Sequence, residues 1–249
     1  MVRYSCHGGH NEKVQGANYG TRKEHIMDRQ VKNAVVAKLR ALGHTVYDDT
    51  DEVGTTQSQN LSNIVRNCNS HDVDLVISFH LNSFNTSANG VEVLYYDQKD
   101  LAAKISSQLS QDIGWYNRGA KKRTDLYVLK NTKAPAILIE LGFIDNDADM
   151  AKWNVDKIAN SIVYALTGKT VGGSSGEGNV GKQRVISGGF YIDYANEVAQ
   201  KMVETGCTGS IVVQADGIAY VRTDLHPNVT LDKLTAWFDS RSWWYKYEQ

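Results

Sequence analysis

Leu75-Val76-Ile77-Ser78-Phe79-His80-Leu81-Asn82-Ser83 is the stretch that decides the fold. Its apolar residues fall on both parities, which marks a strand buried on both faces, and the run closes on His80 with the polar Asn82-Ser83 just beyond. Working outward, similar short runs occur at Met1–Ser5, Thr45–Tyr47, Val91–Tyr95 and Ala136–Leu141. Between them lie longer segments of helical period, at about Lys23–Leu42, Ser58–Asn69, Gln98–Ile113 and Ala148–Leu166. This alternation predicts an α/β domain with a mainly parallel, twisted sheet flanked by helices on both faces. In such sheets ligands sit beyond the carboxyl ends of the strands.

The 249 residues have room for that domain and a small second one. Residues 171–181, Val171-Gly172-Gly173-Ser174-Ser175-Gly176-Glu177-Gly178-Asn179-Val180-Gly181, have almost nothing to bury and read as a flexible linker. The expected domains are therefore 1–170 and 182–249. The back part reads as strand Arg184–Ser187, helix Tyr194–Glu204, strand Ser210–Ala215, the turn pair Asp216-Gly217, strand Ile218–Arg222, helix Leu231–Ser240 and strand Trp243–Tyr247. That order is a small α+β domain of βαββαβ type, and Asp-Gly between two alternating runs is its strongest hairpin signal.

Charge is balanced, with Lys+Arg 27 against Asp+Glu 28, so no strong field points to nucleic acid or to an anionic membrane. No apolar run approaches the ~20 residues that span a bilayer, and the first residues lack the pattern of a signal peptide. The expectation is a chain made in the cytoplasm without a leader. Cys6, Cys68 and Cys207 are an odd set with no CxxC pair, which suits a reducing compartment rather than a disulfide framework.

Four residues stand where strands meet the rim or a helix starts: His7, Glu24, His80 and Glu140. Two imidazoles and a carboxylate suit a catalytic Zn²⁺ with one open position, and a further carboxylate suits a general base. Each also has a plainer explanation. A strand-end histidine is often a hydrogen-bonded structural residue, and Glu24 in the first turn of a helix is explained by the helix dipole. His7 is followed by Gly8-Gly9, which leaves a strand-end imidazole uncovered. Glu140 lies in the apolar run Ala136-Ile137-Leu138-Ile139-Glu140-Leu141-Gly142-Phe143, where a charge is costly unless it is paired or functional. His10 is the alternative ligand to His7. Cys6, with His80 and Glu140, leaves a cysteine-amidase arrangement open, although a strand end before a glycine pair is a poor place to activate a thiol.

The front part resembles the zinc-dependent N-acetylmuramoyl-L-alanine amidases of type 3. The resemblance rests on Cys6-His7-Gly8-Gly9 with Gly16-Ala17, on Ser78-Phe79-His80-Leu81-Asn82-Ser83, on Arg118-Gly119-Ala120-Lys121 with Leu126-Tyr127-Val128-Leu129, and on Pro135 through Asn146. It departs at Tyr4-Ser5-Cys6, where the family has Asp-Pro-Gly. The resemblance implies one Zn²⁺ held by His7, Glu24 and His80, with Glu140 as the catalytic carboxylate. The implied reaction is hydrolysis of the amide between N-acetylmuramic acid and the L-alanine of the stem peptide. Asn82 and the Leu126–Leu129 stretch are expected to shape the groove.

The back part resembles the wall-binding module of some phage lysins, on Val185-Ile186-Ser187-Gly188-Gly189, Tyr220-Val221-Arg222-Thr223 and Leu234-Thr235-Ala236-Trp237-Phe238-Asp239. Its expected partner is a secondary cell-wall polymer, contacted by Trp243, Trp244 and Arg222, since an indole stacks on sugar rings. About half of the aromatic residues in Trp243–Tyr247 are expected to face the core instead. Together these readings imply an endolysin that acts on peptidoglycan after release from the cell. Two others stay open: a zinc peptidase cutting within the stem, and a wall-binding protein without catalysis.

Overall fold

A computed structural model of the chain describes residues 1–170, 183–226, 228–241 and 243–248, with the side chains of residues 228 and 229 excepted. The expected linker, 171–181, lies outside the described residues. Two compact units emerge, Met1–Gly173 and Ser174–Gln249.

The first unit runs β1 (Arg3–Gly8), a short hairpin of β2 (Asn18–Tyr19) and β3 (Arg22–Lys23), α1 (Glu24–Ala41), β4 (Thr45–Asp48), α2 (Gln57–Asn69), β5 (Leu75–Asn82) and β6 (Val91–Tyr95). It continues with α3 (Lys99–Ile113), β7 (Asn117–Lys122), α4 (Tyr127–Asn131), β8 (Ala136–Phe143), α5 (Asp147–Met150) and α6 (Val155–Thr167). The sheet has the order β4-β1-β5-β8-β6-β7. Every pairing in it is parallel except that of β6 with β8.

Strand alternation sorts the core into two layers. Ile77, Phe79, Leu81, Ile137, Ile139 and Leu141 pack with α1, α3 and α6 on one face. Val76, Ala136, Leu138 and Leu94 pack with α2 and α4 on the other. The central strands β5 and β8 are therefore covered on both sides, which is why their sequences are almost continuously apolar. By the same alternation, Ser78, His80, Glu140 and Glu92 belong to the α2 face. β1 runs to Gly8, three residues beyond the expected Met1–Ser5. The edge strand β7 has no apolar alternation to announce it; its lysines are typical of an edge that must resist pairing with another chain.

The second unit runs β9 (Arg184–Ser187), β10 (Phe190–Tyr191), a 3₁₀ turn (Ile192–Tyr194), α7 (Ala195–Thr205), β11 (Gly209–Val213), β12 (Ile218–Thr223), α8 (Asn228–Ser240) and β13 (Tyr245–Glu248). β13, β9, β12 and β11 lie side by side and antiparallel, with β10 also against β12. This is the expected βαββαβ arrangement, with one short added strand. Asp216-Gly217 forms the β11–β12 turn, with Gly217 at φ +83° and Ile218 N donating to Asp216 Oδ1 at 3.0 Å. Val185, Phe190, Val198, Val221, Leu234 and Phe238 fill the core. Among the described residues no helix is long and apolar enough to cross a membrane.

Candidate metal centre

The hairpin β2–β3 delivers the chain to α1 so that Glu24 is its first residue, with Glu24 N donating to Ala17 O at 3.0 Å. Glu24 is 3% exposed, and both of its side-chain oxygens are held. Oε2 accepts from Ala17 N at 2.7 Å; Oε1 accepts from Leu81 N at 3.0 Å and lies 3.0 Å from His80 Nδ1. His10, just past β1, brings Nε2 to 3.5 Å from the same oxygen, and its ring stands edge-on to that of His80, with centroids 4.9 Å apart. One ligand atom from each of His10, Glu24 and His80 lies within 4.8 Å of the others.

Two glycines make room for this cluster. A Cβ on Gly9 would fall 1.9 Å from His80 Cε1 and Nε2, and one on Gly16 would fall 2.4 Å from Glu24 Oε2 and 2.5 Å from His10 Cδ2. Two imidazoles and one carboxylate around a cradle that only glycine leaves open fit a Zn²⁺ ion with a position to spare.

The loop carrying His10 is tied down by its neighbour. Asn11 is fully buried; Oδ1 accepts from Lys13 N and Val14 N, and Nδ2 donates to Asp51 Oδ2 at 3.2 Å and to Gly54 O at 2.9 Å. Behind the cluster Asp28, one turn beyond Glu24 on α1, accepts from Gly9 N at 3.1 Å. Burial foremost pushes its carboxyl up to about 7.

The structure departs from the sequence expectation at His7, which does not join Glu24 and His80. Because β1 continues to Gly8, His7 sits inside a buried strand, in register with Ser78, two residues below His80 on the same face of the sheet. Two residues of strand amount to ~6.6 Å of depth. Its Nδ1 is 3.8 Å from Cys68 Sγ, Nε2 has no partner, and burial, aided by the charge on His80, pushes the imidazole down to about 3. The rim position falls to His10 instead.

Glu140 pairs in register with His80 on β5 and with Glu92 on β6, so the three stand side by side on one face. Its Oε2 is buried and has no hydrogen-bond partner. Burial foremost pushes the carboxyl up to about 7; His80 and Arg123 oppose the shift, while Glu24 and Glu92 add to it. A half-desolvated acid poised near neutrality is suited to taking and returning a proton. Burial works against a charged His80, yet the hydrogen bond and charge of Glu24 prevail and lift it to about 9. Burial and the His80 charge press His10 down to about 4.

Asn82 lies at the end of β5 with its side chain engaged at both ends: Nδ2 donates to Glu92 Oε1 at 3.1 Å and Oδ1 accepts from Ser83 N at 2.9 Å. It braces Glu92, a residue that sequence reading passed over for want of any motif. Leu126 and Leu129 pack into the core with α2, while Tyr127 borders a surface cavity of about 410 Å³ lined also by Gln57, Ser58 and Leu61. Cys6 is fully buried in the opposite layer and desolvation pushes its thiol far up, away from a reactive thiolate.

In the second unit Trp243 is half-buried in an aromatic cluster, stacked on Phe190 at 5.1 Å and edge-on to Tyr194 and Trp237. Trp244 is 62% exposed, and Arg222 is exposed on β12. Of the three residues expected at the wall surface, Trp243 is thus a packing residue, because β13 begins only at Tyr245 and the chain before it folds back onto Phe238.

Comparison with known proteins gives this geometry a lineage. The family model described as N-acetylmuramoyl-L-alanine amidase matches residues 6–168, and that of the PlyG cell wall binding domain matches residues 204–247. An uncharacterized cell wall amidase of Bacillus anthracis is 38% identical over 91 residues, 32% of this chain and 17% of that protein. The uncharacterized protein YqiI of Bacillus subtilis is 31% identical over 169 residues, 64% of this chain and 80% of its own length. Among solved structures, the catalytic domain of the CD27L endolysin targeting Clostridia difficile superposes with a TM-score of 0.62 at 29% identity, covering 69% of this chain and 99% of that one. Its first unit matched almost end to end, the chain belongs to the N-acetylmuramoyl-L-alanine amidase family.

Proposed function

We propose that residues 1–170 form a zinc-dependent amidase that cleaves the bond between N-acetylmuramic acid and the L-alanine of the stem peptide, with residues 182–249 holding it to the bacterial wall. The observation that carries this reading is the convergence of His10, Glu24 and His80 beside Glu140, at the rim of the sheet in a member of this family. His10, Glu24 and His80 would hold one Zn²⁺, which would supply Lewis-acid chemistry at the scissile amide. Glu140 takes the attacking water's proton on its buried, unpartnered Oε2 and returns it to the departing amine nitrogen of alanine. Ala17 N and Leu81 N keep the Glu24 carboxylate in place throughout.

The match to a wall-binding domain over residues 204–247 supports a second role for the back unit. The exposed Trp244 and Arg222 offer a stacking surface and a cation to a secondary cell-wall polymer. Tethering raises the effective concentration of substrate without any new contact at the catalytic centre. The likeness to an endolysin catalytic domain supports a lytic role on the wall, in the manner of a phage enzyme. Mass analysis of digested wall tests the reaction: free muramic lactyl carboxyls and new amino termini on L-alanine are expected, and cleavage inside the stem peptide would contradict it.

A further inference from the structure

β7 joins β6 with an irregular register: Val91 faces Asn117, but Glu92 faces Gly119. Arg118 is the extra residue of this bulge, and Gly119 completes it at φ +79°, a conformation that favours glycine. Bulges re-aim side chains and are rare between parallel strands. Here Arg118 turns inward, with Nε donating to Glu92 Oε2 at 2.8 Å and the guanidinium 5.0 Å from the centroid of Phe143. Register then draws a single row across the sheet: Gly119 opposite Glu92, Glu92 opposite Glu140, Glu140 opposite His80. Arg118 stands at the end of a row that contains the proton-transfer carboxylate and a metal ligand.

Arg118 is not used up by Glu92, whose other oxygen is already taken by Asn82. Beyond Nε, the guanidinium makes one long contact, Nη1 to Asn89 O at 3.5 Å, and the side chain is 34% exposed. The nearby Arg123 differs: Nε and Nη2 are both spent on Asp125, at 2.8 and 2.7 Å. Arg118 is therefore a cation at this end of the row with donors to offer.

We propose that Arg118 is a specificity residue that receives a free carboxylate carried by the second residue of the stem peptide. The proposal rests on the amidase reading above. Adjacent strands are ~4.8 Å apart, so a guanidinium drawn back over Glu92 lies roughly 5–8 Å from the position of Glu140. In the substrate, the amide nitrogen released by cleavage is separated from a carboxylate on the second residue by one N–Cα bond, one ~3.8 Å Cα–Cα step and one Cα–C bond, about 6 Å in all. The two spans agree. A guanidinium fork matches a carboxylate and loses its charge-assisted bonds to a carboxamide. At a partly exposed position the preference for the acid is up to about fivefold.

The test uses the full chain and two soluble muramyl-peptide fragments that differ only in a free carboxylate or a carboxamide on the second residue. Products are identified by mass, and kcat/KM is read for each. The wild-type protein is expected to favour the acid about three- to fivefold. Arg118→Gln is expected to bring the ratio close to one, and Arg118→Lys, which keeps the charge but not the fork, to fall between. A wild-type ratio near one, or a ratio unmoved by either variant, overturns the proposal while the amidase reading stands. Cleavage within the stem, or no cleavage of either fragment by the wild-type protein, overturns both.

Discussion

Replacing Gly9 by alanine strikes the metal centre through a single contact. The added Cβ falls 1.9 Å from Cε1 and Nε2 of His80 and 2.6 Å from Nδ1. Non-bonded carbon atoms rest ~3.5–4.0 Å apart, so the imidazole must retreat by roughly 1.5 Å. The bond it then forfeits is the 3.0 Å contact between His80 Nδ1 and Glu24 Oε1. Overpacking of this kind costs ~1–3 kcal/mol, and displacement of a catalytic group by ~1 Å costs about 100-fold in rate. The assay is a double-mutant cycle by urea denaturation of ion-free protein, with zinc content measured alongside. Gly9→Ala is expected to lose ~1–3 kcal/mol alone but under ~0.5 kcal/mol in a His80→Ala background, where the ring is gone. An equal loss in both backgrounds, or a Gly9→Ala variant with full zinc and full activity, refutes the reasoning.

Glu140→Gln is expected to keep zinc and fold but lose at least ~100-fold in turnover, as read by amino-group release from wall fragments. The buried His7 sets an acid limb on stability. It is held neutral in the fold down to about 3, whereas its unfolded value is ~6.5. Above pH ~6.5 neither state carries the proton; as pH falls from there toward 3 the unfolded chain binds a proton the fold refuses, and stability drops by on the order of 4 kcal/mol. Melting of His7→Gln across that window is expected to show a shallower decline, and an unchanged slope would remove His7 from the account. In the back unit, Trp244→Ala is expected to weaken wall binding in a pull-down without changing the melting temperature, whereas Trp243→Ala costs ~3 kcal/mol of stability by emptying the aromatic cluster.

Much of the first unit was legible because β5 and β8 are covered on both faces and so had to be written as continuous apolar runs. The sheet's edge was not, since β7 is held by neighbours that its own polar sequence does not advertise. His80 and Glu140 were readable as polar residues closing apolar strands. His7 misled because depth along a strand is set by where the strand ends, and the glycines at 8 and 9 mark that end as readily as they mark an uncovered histidine. The signal that separates His7 from His10 is the pair itself: Gly8 closes β1, Gly9 gives way to the His80 ring, and the first side chain free to reach the rim is that of residue 10. Glu92 escaped notice, and Arg118 was legible only as part of the block at 118–121, because a register shift, which no single-chain pattern encodes, brings them to the row. Trp243 and Trp244 show the same limit, as adjacent indoles whose burial is decided by where β13 begins.

Which histidine completes the ion site is decided by the zinc content of purified His10→Ala and His7→Ala, measured by elemental analysis beside the wild-type protein. Loss of zinc from His10→Ala with retention of about one ion per chain in a folded His7→Ala is the predicted result. Zinc retained by His10→Ala and lost from a folded His7→Ala would contradict it.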